Sequence, residues 1–238
     1  MSIVGGPNVV KDNLLFSFDP AFSKSYIPNA SNYRNIINNN INGVFAASTN
    51  FDLDGGGCVN LSSTENYMLA DANIFNENRT QFTWSFWIKS SSIPGDGDPD
   101  EWLVGYTRSG SNDFGVYFRS NRFGVSINNV NYRYNTNITT FFKINVWQNI
   151  VLVFDTVNDY WSLYVNGKLI NTVTSVTSTI PNQNGFTQIF IYVDRDGAST
   201  YNQFYTGKIS RTSFYSKVLS QEEILQNYNA FKGRFSLI

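Results

Sequence analysis

Short apolar and aromatic runs recur along this chain, separated about every eight to twelve residues by clusters of Gly, Asn, Asp, Ser or Pro. That spacing is the pattern of a β-sandwich or barrel. Within the runs, apolar residues either alternate at period two or fill nearly every position. The clearest predicted strands are 82–88 (FTWSFWI), 114–118 (FGVYF), 123–127 (FGVSI), 147–154 (WQNIVLVF), 161–165 (WSLYV), 186–193 and 208–215. Strands that are apolar at almost every residue are expected to be central and covered on both faces. Asn166-Gly167 stands between 161–165 and 168–170. This dipeptide accepts the positive φ angles of a type I′ turn, so a tight hairpin is predicted there.

A single helical signal stands near the end of the chain. Ser220-Gln221-Glu222-Glu223 fits a capping box, with Ser220 accepting from an orphan N–H and Glu223 reaching back. Ile224, Leu225, Tyr228 and Phe231 then fall on one stripe, and Gly233 is placed to stop the helix. The spacing predicts a helix over about 220–232 that braces a sheet edge. No internal repeat, Gly/Ser or Pro linker, or block of like charge divides the chain. Residues 1–238 therefore read as one all-β domain with an N-terminal arm of about 1–13.

Composition narrows the chemistry. Only 15% of residues are charged and the formal net charge is −1, so there is no basic face for nucleic acid. No apolar run is long enough to span a bilayer. The opening Met1-Ser2-Ile3-Val4-Gly5-Gly6-Pro7 has neither a basic nor an apolar leader region. The expectation is a product that stays where it is made unless lysis or assembly carries it out. The chain has no histidine, which excludes histidine proton shuttles, Ser-His-Asp triads and Cys-His metal sites. The lone Cys58 cannot form an internal disulfide and reads as a small buried apolar residue. Asparagine is abundant and suits tight turns, because it tolerates left-handed backbone.

Several landmarks, taken in order, resemble the laminin-G-like and pentraxin-like branch of the concanavalin A-like lectin/glucanase superfamily. Leu14-Leu15-Phe16-Ser17-Phe18-Asp19 resembles its first strand with a terminal Asp, and the Asn-rich stretch from Tyr33 to Val44 resembles its "DLSGNGNNG" loop. Phe82-Thr83-Trp84-Ser85-Phe86-Trp87-Ile88 is similar to its "FTVSFWV" strand. Trp147-Gln148-Asn149-Ile150-Val151, Asp155 and Leu163-Tyr164-Val165-Asn166-Gly167 resemble "WHNV…D…LYVNG". The resemblance implies a two-sheet antiparallel jelly-roll sandwich with one short C-terminal helix. The segment from Tyr215 to Phe235 further resembles the "IYNRALSAEEILQNYNALKGRFGL" ending of versions encoded by tailed bacteriophages. That likeness implies a virion structural protein: a capsid decoration, fibre, neck or tail component, present in many copies and assembled on the particle surface.

Candidate sites follow from what the fold's relatives do. A retaining glycosidase of this fold needs paired carboxylates about 5 Å apart, carried by an E-x-D-x-x-E string. No such string occurs, and Glu65, Glu77, Glu101, Glu222 and Glu223 are scattered. Relatives bind calcium at a loop that reads "FDGTNDYV", where this chain has Leu61-Ser62-Ser63-Thr64-Glu65-Asn66-Tyr67-Met68. Ser62 replaces an acidic ligand there, so no cofactor is expected. Asp96, Asp98 and Asp100 alternate as at the start of a calcium loop, but lack its glycine at the sixth place and Glu at the twelfth, and read as a solvated acidic turn. For sugars, rim aromatics beside amides would serve, and Trp102, Tyr106, Tyr132, Tyr134, Tyr201 and Tyr205 are the candidates. Trp84, Trp87, Trp147 and Trp161 are expected to be structural. The leading expectation is a non-enzymatic virion protein with a glycan-adhesive surface. The alternatives are a free carbohydrate-binding lectin and, third, a divergent polysaccharide lyase or glycoside hydrolase. Expected partners are other virion proteins, further copies of the chain, and host-surface or environmental glycans, with no nucleic acid and no membrane.

Overall fold

Two antiparallel sheets face one another across a contiguous apolar core. The computed structural model of the protein describes residues 8–28, 30–37, 42–45, 50–61, 67–71, 79–94, 101–106, 114–127, 130–133, 137–175, 188–192, 194–196, 200–202 and 204–237. In chain order the strands are β1 (Leu14–Phe18), β2 (Asn32–Arg34), β3 (Asn42–Phe45), β4 (Asn50–Asp52), β5 (Cys58–Leu61), β6 (Met68–Asp71), β7 (Gln81–Lys89), β8 (Glu101–Tyr106) and β9 (Phe114–Arg119). They continue with β10 (Arg122–Ile127), β11 (Val130–Arg133), β12 (Gln148–Asp155), β13 (Tyr160–Val165), β14 (Lys168–Thr174), β15 (Gln188–Ile191), β16 (Asp194–Asp196), β17 (Thr200–Asn202) and β18 (Gly207–Tyr215). Helix α1 (Gln221–Phe231) follows them. The first sheet runs β14-β13-β12-β7-β18-β5-β4, with β1 also paired to β18. The second runs β11-β10-β9-β8-β15-β6-β3-β2, and β16 pairs with β17. Neighbours drawn from distant parts of the chain in both sheets make this a jelly-roll-like sandwich.

The nearly continuous apolar strands are covered on both faces, as their sequences require. Along β7, Phe82, Trp84, Phe86 and Ile88 enter the core between the sheets. Trp87 points the other way and lies under the C-terminal segment, stacked on Phe235 with ring centroids 4.2 Å apart. On β12, Ile150, Leu152 and Phe154 face the core. Val151 and Val153 pack outward with Tyr215, Leu219, Ile224 and Val10. The second cover is thus supplied by α1 and the N-terminal arm. Trp84, Trp87, Trp147 and Trp161 are all buried, as their place in the sequence implied.

Asn166 and Gly167 take φ of 52° and 77° between β13 and β14, confirming the hairpin. The capping box is also present. Ser220 Oγ accepts from the Glu223 N–H at 3.2 Å and the Ser220 N–H donates to Glu223 at 2.9 Å. Two expectations about the helix need correction. It lies across the outward face of the first sheet, with Ile224 buried and Tyr228 stacked on Trp87, because that face carries apolar residues that water would otherwise meet. Gly233 does not end it: a 3-10 turn over Lys232–Phe235 continues through Gly233, and Ser236 takes the left-handed conformation, φ 56°. Phe235 can then reach Trp87 and Trp147, an apolar contact that outweighs a glycine stop.

The arm is fastened to the same face. The Val10 N–H donates to Asn227 Oδ1 at 2.9 Å and the Tyr215 hydroxyl donates to Val10 O at 3.2 Å. Asp19, at the end of β1, is buried beside Arg211 and Arg234. Cys58 is buried with Trp87, Trp147 and Phe235. Burial pushes its thiol up to about 12, so it remains an unreactive apolar side chain near neutral pH. Among the described residues no helix is long and apolar enough to cross a membrane.

Candidate functional site

Antiparallel register places residues from three strands side by side on the outward face of the first sheet. Lys89 of β7 is opposite Lys208 of β18, and Lys208 is opposite Asn60 of β5. Directly opposed residues share a face, so two ammoniums and an amide stand in one row. Like charges placed opposite each other repel unless an anion lies between them. Asp54, from the 3-10 turn between β4 and β5, supplies it: Oδ2 accepts from Lys89 at 2.8 Å and from Lys208 at 3.0 Å. Its other oxygen accepts from the indole N–H of Trp147 at 2.9 Å. Asp52 accepts from Lys208 at 2.7 Å and receives the Asp54 backbone N–H at 2.8 Å.

These contacts set the charge states. Burial works against the Asp54 charge, but hydrogen bonds from Lys89, Trp147 and Lys208 outweigh it and hold the carboxyl well below its ordinary range. The hydrogen bond from Lys208 likewise lowers Asp52. Burial opposes the Lys208 charge too, yet Asp52 and Asp54 raise its ammonium above the usual value. Asp52, Asp54 and Lys208 therefore stay ionised through the neutral range.

Beside the row opens a cavity of about 330 Å³, lined by Lys89, Ser90, Asn145, Lys208 and Asn60 among others. Its floor is rigid. Ser90 Oγ and the Tyr205 hydroxyl are 2.6 Å apart, and both residues are buried. Ser90 O accepts from the Asn145 N–H at 2.7 Å, holding Asn145 at the edge in a left-handed conformation, φ 57°. Gly207 closes the wall at φ 154°, where an added Cβ would sit 2.7 Å from both Lys89 O and the Tyr205 hydroxyl. The Thr206 N–H donates to Glu101 at 3.0 Å, tying this loop to β8. The lining carries both donors and acceptors, in the amides of Asn60 and Asn145, the hydroxyl of Ser91 and the two ammoniums, which suits a polyhydroxyl ligand.

Among the predicted rim aromatics, Tyr205 is the one whose side chain is described. Tyr205 is the correction: it lies in the core, its phenol raised well above the ordinary value by burial. It cannot stack on a sugar, and instead supports Ser90 beneath the cavity. Trp102 and Tyr106 lie on β8, Tyr132 on β11 and Tyr201 on β17. Strands β8 and β11 are separated by β9 and β10, about 14 Å at ordinary strand spacing. Tyr134, Asp96, Asp98 and Asp100 lie outside the described residues, as do positions 62–66 of the calcium-loop counterpart. Among the described residues no group of His, Cys, Asp and Glu could hold a metal ion. Sequence reasoning missed Lys89, Lys208, Asp52 and Asp54. The available signal was Lys89: in a chain only 15% charged, a lysine directly after the apolar run 82–88 is conspicuous.

A family model described as the concanavalin A-like lectin/glucanases superfamily matches residues 62–225. No curated protein matches the chain. Among solved structures, the receptor binding domain of botulinum neurotoxin C/D mosaic serotype is similar with a TM-score of 0.70 at 16% identity, over 92% of this chain and 51% of that one. A serotype D ligand binding domain in complex with N-acetylneuraminic acid gives a TM-score of 0.67 at 15% identity, over 91% and 50%. The neurotoxin DC binding domain in complex with rat synaptotagmin II gives 0.66 at 14%, over 92% and 52%. The chain spans about half the length of these structures. At such identity the likeness is one of fold.

Proposed function

This chain belongs to the concanavalin A-like lectin/glucanases superfamily, and on that premise we propose that it is a non-enzymatic, glycan-adhesive structural protein of a bacteriophage particle. The observation that carries the adhesive part is the cleft beside Lys89, Lys208 and Asn60, whose polar groups are held in place before any ligand arrives. Preorganised donors and acceptors lower the ordering cost of binding. The same groups are poor catalysts. Acid catalysis of glycoside cleavage needs a carboxyl that carries its proton near neutral pH, whereas Asp52 and Asp54 are both pulled downward by lysines.

The particle assignment rests on the resemblance of segment 215–235 to domains encoded by tailed bacteriophages. In this reading the protein is made in the host cytoplasm and assembled on the virion surface as a decoration, fibre, neck or tail component in many copies. Of the helix stripe, Ile224, Tyr228 and Phe231 are spent on the chain's own sheet and C-terminal segment while Leu225 stays exposed, so contact with a capsid, neck or tail protein falls to the exposed Leu169 and Leu225. These lie on β14 and α1, on either side of the turn at Gly167, where an added Cβ would meet Leu225 at 3.0 Å. A free lectin would use the same cleft, and particle association separates the two.

The test combines two measurements. Mass spectrometry of gradient-purified particles should find the protein in many copies, and incubation with a polysaccharide panel should release no oligosaccharide. Absence from particles would leave the free lectin. Reproducible glycan cleavage, abolished by changing one carboxylate or tyrosine, would make it an enzyme.

A further inference from the structure

We propose that the cleft takes an uncharged saccharide and discriminates against glycans that carry carboxylate or sulfate groups. The inference rests on the reading of the cleft as a glycan site and adds its ligand class. Two lysines in a cavity wall ordinarily point to an anionic ligand. Here both positions are already answered from within the protein: Asp54 lies between Lys89 and Lys208, and Asp52 takes Lys208 again. The two cations and two anions cancel. Among the described lining residues Lys89 and Lys208 alone are charged, and their counter-charges stand behind them in the wall.

What the cluster retains is hydrogen-bonding capacity. An ammonium has three N–H donors. Lys89 directs one to Asp54, and Lys208 directs two to Asp52 and Asp54. The remaining N–H groups, with the amides of Asn60 and Asn145 and the hydroxyl of Ser91, match sugar hydroxyls, which both donate and accept. An entering carboxylate would find no cation without a partner. The cavity of about 330 Å³ lies at the small end of ligand pockets and suits one or two sugar rings. None of its described lining residues is aromatic, so stacking adds nothing there. Single-site affinity is accordingly weak, and tight adhesion comes from many copies.

Ligand-observed NMR on the full chain decides the matter, with cellotriose, maltotriose and chitotriose as neutral probes and trigalacturonate and sialyllactose as anionic ones. At least one neutral probe should bind, about tenfold or more tighter than either anionic probe. Lys208→Met and Asn60→Ala should abolish that binding while the circular dichroism spectrum is unchanged. Asp52→Asn, which leaves the cluster with one uncompensated cation, should narrow the gap toward anionic probes. Tighter binding of an anionic probe, lost in Lys208→Met, would overturn the charge inference and leave the glycan site standing. Failure of every probe to bind the folded protein would overturn both. Neutral binding that survives Lys208→Met and Asn60→Ala would place the ligand elsewhere and overturn the assignment to this cleft.

Discussion

Arg234 closes over Asp19: its Nη1 lies 2.8 and 2.9 Å from the two carboxylate oxygens, joining the residue after the first strand to the 3-10 turn after the helix. Nη2 donates to Gly57 O at 2.7 Å and also to Ser210 Oγ, and Nε donates to Gly55 O. One guanidinium thus ties together β1, β18 and the turn that carries Asp54.

Arg234→Met should therefore cost more than a surface ion pair does. It leaves the buried Asp19 with Arg211 alone, at 3.3 Å, and strips the carbonyls of Gly55 and Gly57 of a donor. Breaking a buried pair from one side typically costs about 3–5 kcal/mol. Chemical denaturation should show a loss in that range. Arg234→Lys should rescue only part of it, because an ammonium cannot reach the same acceptors in one plane. A loss below about 1 kcal/mol would mean the pair is no more than an exposed one.

Ser220→Ala removes the oxygen that accepts the Glu223 N–H and should lower stability by about 1 kcal/mol. Ser220→Asp should restore most of it. An unchanged urea midpoint in the alanine variant would show that the Glu223 side of the box suffices.

The Asp54 and Lys208 contacts fix a pH window. Asp54 has its folded-state pKa depressed below 3.8. Its contribution is complete above the unfolded value of about 4 and is lost as pH falls through the folded value. Lys208 has its folded-state pKa raised above 10.5. Its contribution is complete below the unfolded value, about 10.4, and is lost as pH rises through the folded one. The melting temperature should be level between about pH 5 and 9 and fall on both sides. Asp54→Asn should be less stable at pH 7 and lose part of the acid limb. An acid limb identical to that of the parent protein would assign it to other carboxyls.

Gly207→Ala tests the cavity wall. The new Cβ would lie 2.7 Å from Lys89 O and from the Tyr205 hydroxyl, at a φ of 154°. Strain of this kind costs more than about 1 kcal/mol. Both stability and probe binding should fall, whereas Ser91→Ala, at an exposed position, should leave stability unchanged within about 0.5 kcal/mol.

How much of this was legible in the sequence depended on range. The hairpin at Asn166-Gly167 and the box at Ser220 and Glu223 are satisfied by residues within a few positions, so local chemistry sufficed. Strand β7 announced itself through Phe82, Trp84, Phe86 and Ile88, although what covered Trp87 did not. The cleft was illegible for a topological reason. Lys89, Lys208 and Asn60 become neighbours only because β18 inserts between β7 and β5, and no local pattern encodes strand order. Gly233 and Tyr205 failed in the other direction: each carried a plausible local signal that tertiary packing overrode.

The buried bond between Tyr205 and Ser90 separates two kinds of position around the cleft. Ser90 and Gly207 are pinned by the core and the backbone around them, so a larger side chain at either would strain the frame. Asn60 and Ser91 reach the surface, and changing them exchanges the groups offered to a sugar while the frame persists. Under the proposed reading of the cleft, its ligand preference can change by single substitutions, without a compensating change in the sandwich.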